Sequence, residues 1–395
     1  MIQQADEFTK PRVVAIDVLR GLALFGVLSV NLMQEFRVSI FLQLIAPPEP
    51  QAWIDQLAQG IVSLFFSFKA IAIFSMLFGY GLSMQYQSLR AHGNAMVLLV
   101  RRLFVLLLFG LLHLICIWNG DILTHYAIVG FIALPFLLLP KPYLLASAGF
   151  ALLIFLVPQW QPWTIHWASN AQLSSAVTAA NEIYPNGSYA QIMQLRWHEL
   201  PLIFQLHQFV FPRTFALFLF SAWCHRCEIV KEIQSDLRRT LVFAACATFA
   251  YLLERVMERY GLFLDSASFV SIVINLAPIL LAVAYAALVL IVCNANMNDK
   301  KQASQSKFSI ALAAVGKMAF TNYLMQSLVL TWIFYGYGLG QFNKMSEANG
   351  FALACAIYLG QIAFSLIWLK RFQLGPLEWL WRSMMFGRWV RRMSL

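Results

Sequence analysis

The chain is expected to be all-α, a polytopic bundle of transmembrane helices, and three observations carry that expectation. Apolar residues make up 60% of its 395 residues and charged ones only 12%, too little polar surface to cover a soluble globule of this size. The apolar residues gather into runs of about twenty, the length that hydrocarbon requires. Lysine and arginine concentrate in alternate loops between those runs, as the positive-inside rule demands.

About ten spans are expected, near 13–34, 58–86, 97–118, 122–139, 143–158, 202–223, 238–254, 267–293, 309–335 and 350–370. The first, starting near Val13, is long enough to span and reads as an uncleaved signal-anchor. Pro140-Lys141-Pro142 marks a tight turn between the fourth and fifth. One set of loops holds Lys10, Arg12, Arg90, Arg101, Arg102, Lys141, Arg226, Lys231, Arg238, Arg239, Lys300, Lys301, Lys307, Lys370 and Arg371, and Arg382, Arg388, Arg391 and Arg392 follow in the tail. The alternate set holds Arg37, Arg196, Arg213, Arg255, Arg259 and Lys344. Both termini are therefore expected in the cytoplasm. The segment 159–201, with Trp160, Trp163, Trp167 and Trp197, is expected to lie at the outer headgroups and to hold an interfacial helix. The tail 372–395 is amphipathic, basic and tryptophan-rich, an inner-surface helix for anionic lipid in which Glu378 can pair with Arg382. No low-complexity linker or clear repeat divides the chain, so 1–395 is one domain.

The net charge of +10 is loop charge; it forms no basic stripe interleaved with aromatics, so nucleic acid is not the expected partner. Cys224-His225-Arg226-Cys227 is a lone CxxC. A structural zinc site wants four ligands, and no metal is expected.

Polar groups at membrane depth are costly and mark candidate sites. In the first span Asp17 and Arg20 sit three apart and can pair, with Asn31 eleven residues beyond Arg20 and Glu35 a turn further. This stripe serves equally as structural glue or as part of a site. Lys69 lies deep in the second span and needs a partner such as Asp17, Glu35 or Asp121, or a ligand anion. Gly79 and Gly81 suit close helix packing. In the third span His113 falls within roughly 20° of the face of Arg102 and about 16 Å above it. The corner Trp118-Asn119-Gly120-Asp121 and His125 follow; an Asp–His pair there supplies a general base. Asn322 and Gln326, four apart, suit amide bonding between helices.

The stretches DVLRGLALFGVLSVN, FSMLFGYGLS, RRLFVLLLFGLLH, WNGDILTHYAIVG, VGKMAFTNYLMQS and GPLEWLWR together resemble the DUF418 (YeiB-type) family of bacterial inner-membrane proteins. That family is similar in turn to membrane acyltransferases, among them the acyltransferase-3 proteins and heparan-α-glucosaminide N-acetyltransferase. The shared element is Asp17-x-x-Arg20-Gly21. Where acyltransferase-3 proteins carry a histidine eleven positions after the arginine, this chain has Asn31, and no histidine follows until His92. The resemblance implies an enzyme that moves an acyl group from cytoplasmic acyl-CoA, as co-substrate, to an acceptor at or across the membrane. Arg101 and Arg102 would hold the acyl-CoA phosphates, with the Arg20–Asp17 pair beside them in the cofactor-binding set. His113 with Asp121 would deprotonate the acceptor, and Lys69 or Asn31 would stabilise the oxyanion. The alternatives are a transporter or lipid-handling protein whose polar residues line a path, and a scaffold in which they fix helix register. Membrane lipids are expected partners, and a homo-oligomer is compatible with the chain.

The charge asymmetry is checked with reporters fused after Leu395. Green fluorescent protein is expected to fluoresce there and alkaline phosphatase to be inactive; the reverse pattern would refute the orientation.

Overall fold

The structure, a computed structural model, describes residues 14–45, 52–90, 93–157, 167–259, 267–298, 306–387 and 389. Trp160, Trp163, Lys10, Arg12, Lys300, Lys301, Arg388, Arg391 and Arg392 lie outside them.

Among the described residues every regular element is helical: α1 Val14–Asn31, α2 Trp53–Phe65, α3 Lys69–Arg90, α4 Ala95–Leu112, α5 Leu123–Ala133, α6 Lys141–Leu156, α7 Asn170–Asn186, α8 Tyr189–Arg226, α9 Ile229–Ser235, α10 Leu237–Arg259, α11 Ala267–Asn298, α12 Lys307–Lys317, α13 Ala319–Phe334, α14 Glu347–Leu369 and α15 Pro376–Phe386. Six stretches are long and apolar enough to cross a membrane: Val14–Phe36, Trp53–Arg90, Ala95–Ile117, Tyr189–Arg226, Ile272–Cys293 and Glu347–Leu369. The pair α12 and α13 makes a seventh if it is one span bent by 78°. Leu123–Leu138 and Lys141–Leu156 are apolar but shorter. The chain is a multi-pass membrane protein. Large side chains left uncovered, such as Phe104, Phe150, Leu359 and Ile367, form the apolar exterior that lipid requires and water would penalise.

Two expectations need correction. The stretch 58–86 is not one regular helix, because α2 stops at Phe65 and Phe68 adopts φ 60°. A bulky residue in that region costs about 1–3 kcal/mol. The sixth span does not begin at 202, since α8 runs unbroken from Tyr189 through Pro201 and Pro212. The stretch 238–254 lies in α10, with Arg238 and Arg239 near one end and Glu254 and Arg255 near the other. The turn at Pro140 does separate α5 and its 3₁₀ extension from α6.

The bundle is organised on α1, which packs against α3, α11, α12, α13 and α14. Glycine makes its closest contact possible. A Cβ on Gly316 would stand 1.9 Å from the Asp17 carbonyl oxygen, and one on Gly21 2.2 Å from that of Leu312. Small residues let backbones approach where lipid offers no hydrophobic drive. The Tyr358 hydroxyl donates to the Gly21 carbonyl at 2.8 Å. Gly79 does the same service between α3 and α8, against the Phe218 carbonyl, while Gly81 faces open space. An amide ladder joins α13 to α14: Asn322 Nδ2 donates to Ser365 Oγ at 3.0 Å, Gln326 Nε2 to Gln361 Oε1 at 2.8 Å, and Gln361 Nε2 to the Asn322 carbonyl at 2.8 Å.

The tail closes the end at which α1 begins. Trp381 Nε1 donates to the Arg102 carbonyl at 3.0 Å. Glu378 Oε1 accepts from the Phe320 and Thr321 N–H groups at 2.8 and 3.0 Å, and Oε2 from Thr321 Oγ1 at 2.5 Å. The carboxylate thus caps α13, where a negative charge meets orphan donors and the positive end of the helix dipole. Burial pushes the Glu378 carboxyl above its ordinary range, against the pull of these donors.

Gly316→Val should destabilise the fold by about 3 kcal/mol or more, since backbone, not a movable side chain, blocks the Cβ; Gly81→Val should not. Melting midpoints in detergent check the pair. Glu378→Ala should cost about 1–2 kcal/mol through loss of the cap and speed proteolysis of α15; an unchanged digestion rate would contradict the docking.

Candidate active site at two π-turns

Both α1 and α4 end in a π-turn, Leu32–Phe36 and His113–Ile117, with the Arg37 N–H reaching the Leu32 carbonyl at 3.0 Å and the Trp118 N–H the His113 carbonyl at 2.8 Å. Such turns insert a residue, re-aim side chains and gather at functional sites. The two lie side by side, Phe36 stacking on Trp118 at 4.2 Å, and α13 packs against both.

The corner after α4 folds back tightly because Gly110 has no side chain: a Cβ there would meet the Thr124 nitrogen at 2.5 Å. That approach brings His113 and Asp121 together, both fully buried, with Nδ1 2.8 Å from Oδ1. The other carboxylate oxygen accepts from the Thr124 N–H at 2.6 Å. A carboxylate only accepts, so Nδ1 is the donor of this bond. Nε2 has no partner, nor has the hydroxyl of Tyr323, whose ring centroid lies 5.4 Å away. Trp118 meets the imidazole edge-on at 6.2 Å. Glu35, on the π-turn of α1 and within electrostatic range of Tyr323, forms no hydrogen bond or ion pair among the described residues. Three groups able to move a proton or hold a polar substrate, His113, Tyr323 and Glu35, thus gather at one level of the bundle.

A second polar layer adjoins it. Asn119, two residues before Asp121, donates from Nδ2 to Glu199 Oε2 at 2.5 Å, and the Tyr184 hydroxyl donates to the same oxygen at 2.6 Å. Burial, with the Glu199 carboxylate close by, holds the Tyr184 phenol well above its usual range, so it remains a donor. Arg196 lies over the Tyr335 ring at 5.1 Å.

The remaining sequence candidates lie elsewhere. Lys69 does not meet Asp17, Glu35 or Asp121. It opens α3 just after the kink at Phe68, and its ammonium donates to the Ser63 carbonyl at 2.5 Å and to the Tyr251 hydroxyl at 2.8 Å. The kink turns it towards α10. Asn31 closes α1 at the entry to the π-turn. Asp17 and Arg20 pair at 3.0 Å near the start of α1. Arg102 is held by Gln85 and lies over the Phe78 and Trp381 rings, whereas Arg101 is exposed. His125 donates to or accepts from Thr214 Oγ1 at 3.0 Å and faces His207, one layer away from His113. Arg196, Glu199 and Tyr323 were missed. Arg196 and Glu199 stand three apart, the spacing of one helix face, but fall in the segment expected at the outer headgroups, and a lone tyrosine in an apolar helix carries no signal.

Residues 224–388 match the family described as a protein of unknown function, DUF418. The chain is similar to the uncharacterised protein YxaH of Bacillus subtilis, 32% identical over 404 residues that cover 96% of each chain. It is also similar to the uncharacterised protein YeiB of Escherichia coli, 27% identical over 419 residues that cover 94% of this chain and 96% of the relative.

Asp121→Ala removes the acceptor of both His113 Nδ1 and the Thr124 N–H. Leaving two buried donors unpaired should lower stability by about 3 kcal/mol, read as a drop in melting midpoint; a midpoint equal to wild type would refute the paired arrangement.

Proposed function

The chain belongs to the DUF418 family, and on that footing we propose that it is a transmembrane acyltransferase of the bacterial inner membrane, with the His113–Asp121 pair as its base. The observation that supports this reading most is a buried imidazole whose Nδ1 is held by a carboxylate and whose Nε2 has no partner. Asp121 fixes the tautomer and stabilises the imidazolium as it forms. Nε2 takes the proton of an acceptor hydroxyl or amine as that atom attacks the thioester carbonyl of an acyl-CoA. The carbon–sulfur bond then breaks, and the coenzyme thiolate recovers the proton from Nε2. The Tyr323 hydroxyl, unpartnered beside the imidazole, is better placed than Lys69 to donate to the oxyanion.

The acyl-CoA phosphates fit the end at which α1 begins. There Arg101 is exposed and Arg20 keeps a side chain 26% accessible, while Arg102 is engaged by the tail. His113 stands about 16 Å along α4 from Arg102, so the acyl arm would run beside α1 and α4. With both termini cytoplasmic, acyl-CoA enters from the cytoplasm and membrane lipid surrounds the acceptor's route.

A second reading, a proton-coupled transporter or lipid-handling protein, is favoured by the 78° break between α12 and α13, since interrupted helices line many transport paths.

Titration of the purified protein with acetyl-CoA by calorimetry should show binding that weakens with salt and falls about tenfold in Arg101→Gln, about 1.4 kcal/mol. His113→Ala should retain binding but lose slow thiol release with water as acceptor. No binding by folded protein would sink the acyl-transfer reading. Proteoliposome uptake that depends on pH and on His113, without acetyl-CoA affinity, would establish the second.

A further inference from the structure

We propose that Arg196 and Glu199 form a recognition site for a zwitterionic group, an oxyanion with an ammonium a few bonds away. Arg196 is 2% exposed and Glu199 3%. Arg196 Nε and Nη2 have no hydrogen-bond partner, Nη1 reaches the Met193 sulfur at 3.9 Å, and the Tyr335 and Tyr337 phenols face the guanidinium. Glu199 spends Oε2 on Asn119 and Tyr184, and Oε1 has no partner. The two residues sit three apart on α8, close enough to share a face, yet form no ion pair with each other among the described residues. Glu199 lies within electrostatic range of Arg196, but buried charged groups with unfilled hydrogen-bonding positions are costly, and here one of each sign keeps such a position open.

The surroundings hold both charges in place without neutralising them. The Tyr335 ring supports the guanidinium from one face and stacks on Tyr184 at 4.7 Å. The ring supplies orientation, not a negative charge. The Gly336 N–H donates to the Tyr184 carbonyl at 2.7 Å, which ties the chain after α13 to the corner between α7 and α8. The free Nε–Nη2 edge is the fork that binds two oxygens of a phosphate or carboxylate, and Glu199 Oε1 accepts from an ammonium. One positive and one negative residue ask for a ligand that carries both signs. Asn119 places that ligand beside the corner that also carries Asp121, whether or not His113 transfers an acyl group. The same chemistry belongs to a free zwitterion or to the headgroup of phosphatidylethanolamine.

Full-length protein in detergent is titrated with O-phosphoethanolamine, ethanolamine, inorganic phosphate and dihexanoyl phosphatidylethanolamine, with calorimetry as readout. At least one zwitterion should bind tenfold or more tighter than either half alone. Binding of O-phosphoethanolamine identifies a free ligand as sufficient, and binding of the lipid alone identifies the headgroup in its membrane setting. Glu199→Gln should lose the preference for the zwitterion over phosphate, and Arg196→Gln should lose phosphate and zwitterion together. The proposal is overturned if no zwitterion binds folded wild-type protein, if phosphate alone binds as tightly, or if a folded Arg196→Gln variant binds like wild type. The wild-type series decides the matter should that variant fail to fold.

Discussion

The carboxylate of Asp121 accepts from an imidazole on one oxygen and from a backbone N–H at the start of α5 on the other. In a water-poor interior neither donor has a substitute, so the two bonds together set the angle at which α5 leaves α4. They also hold the histidine in one tautomer. The tight corner, the unpartnered Nε2 and the reach of Asn119 towards α8 all depend on where that carboxylate sits. Gly110 is the steric condition for it, and the π-turn at His113 is the helical one. A regular turn there would aim the imidazole elsewhere around the helix.

What the linear chain discloses is mostly what depends on neighbours in sequence. Apolar length reveals α1, α4 and α14; two prolines reveal the turn before α6; amides four apart on α13 reveal a ladder, since the only useful place for them is another helix. His113 and Asp121 are legible as a pair because eight residues and a glycine corner separate them. Lys69 is misread because a single backbone angle at Phe68 decides which helix it faces, and hydropathy is blind to φ. Arg196 and Glu199 are misread because tryptophans near them suggest headgroups, so the first turns of a long helix that starts at Tyr189 are taken for an interfacial segment. The spacing of the pair held the information, but the assigned element concealed it.

Arg102 illustrates how a residue chosen for its charge is used for something else. Its backbone and its guanidinium both engage the tail helix, through Trp381, so it joins α4 to α15 and leaves the exposed Arg101 to meet solutes. The two neighbours on one helix divide the work of anchoring and contact, and the site at the far end of α4 inherits its rigidity from that anchor.

The capping of α13 by Glu378 spans 58 residues of chain, and it orders the events of synthesis. The first turn of α13 leaves the ribosome well before the carboxylate that completes it, and α14 must be inserted in between. The end of the bundle at which α1 begins therefore closes on α13 only after α14 is in place.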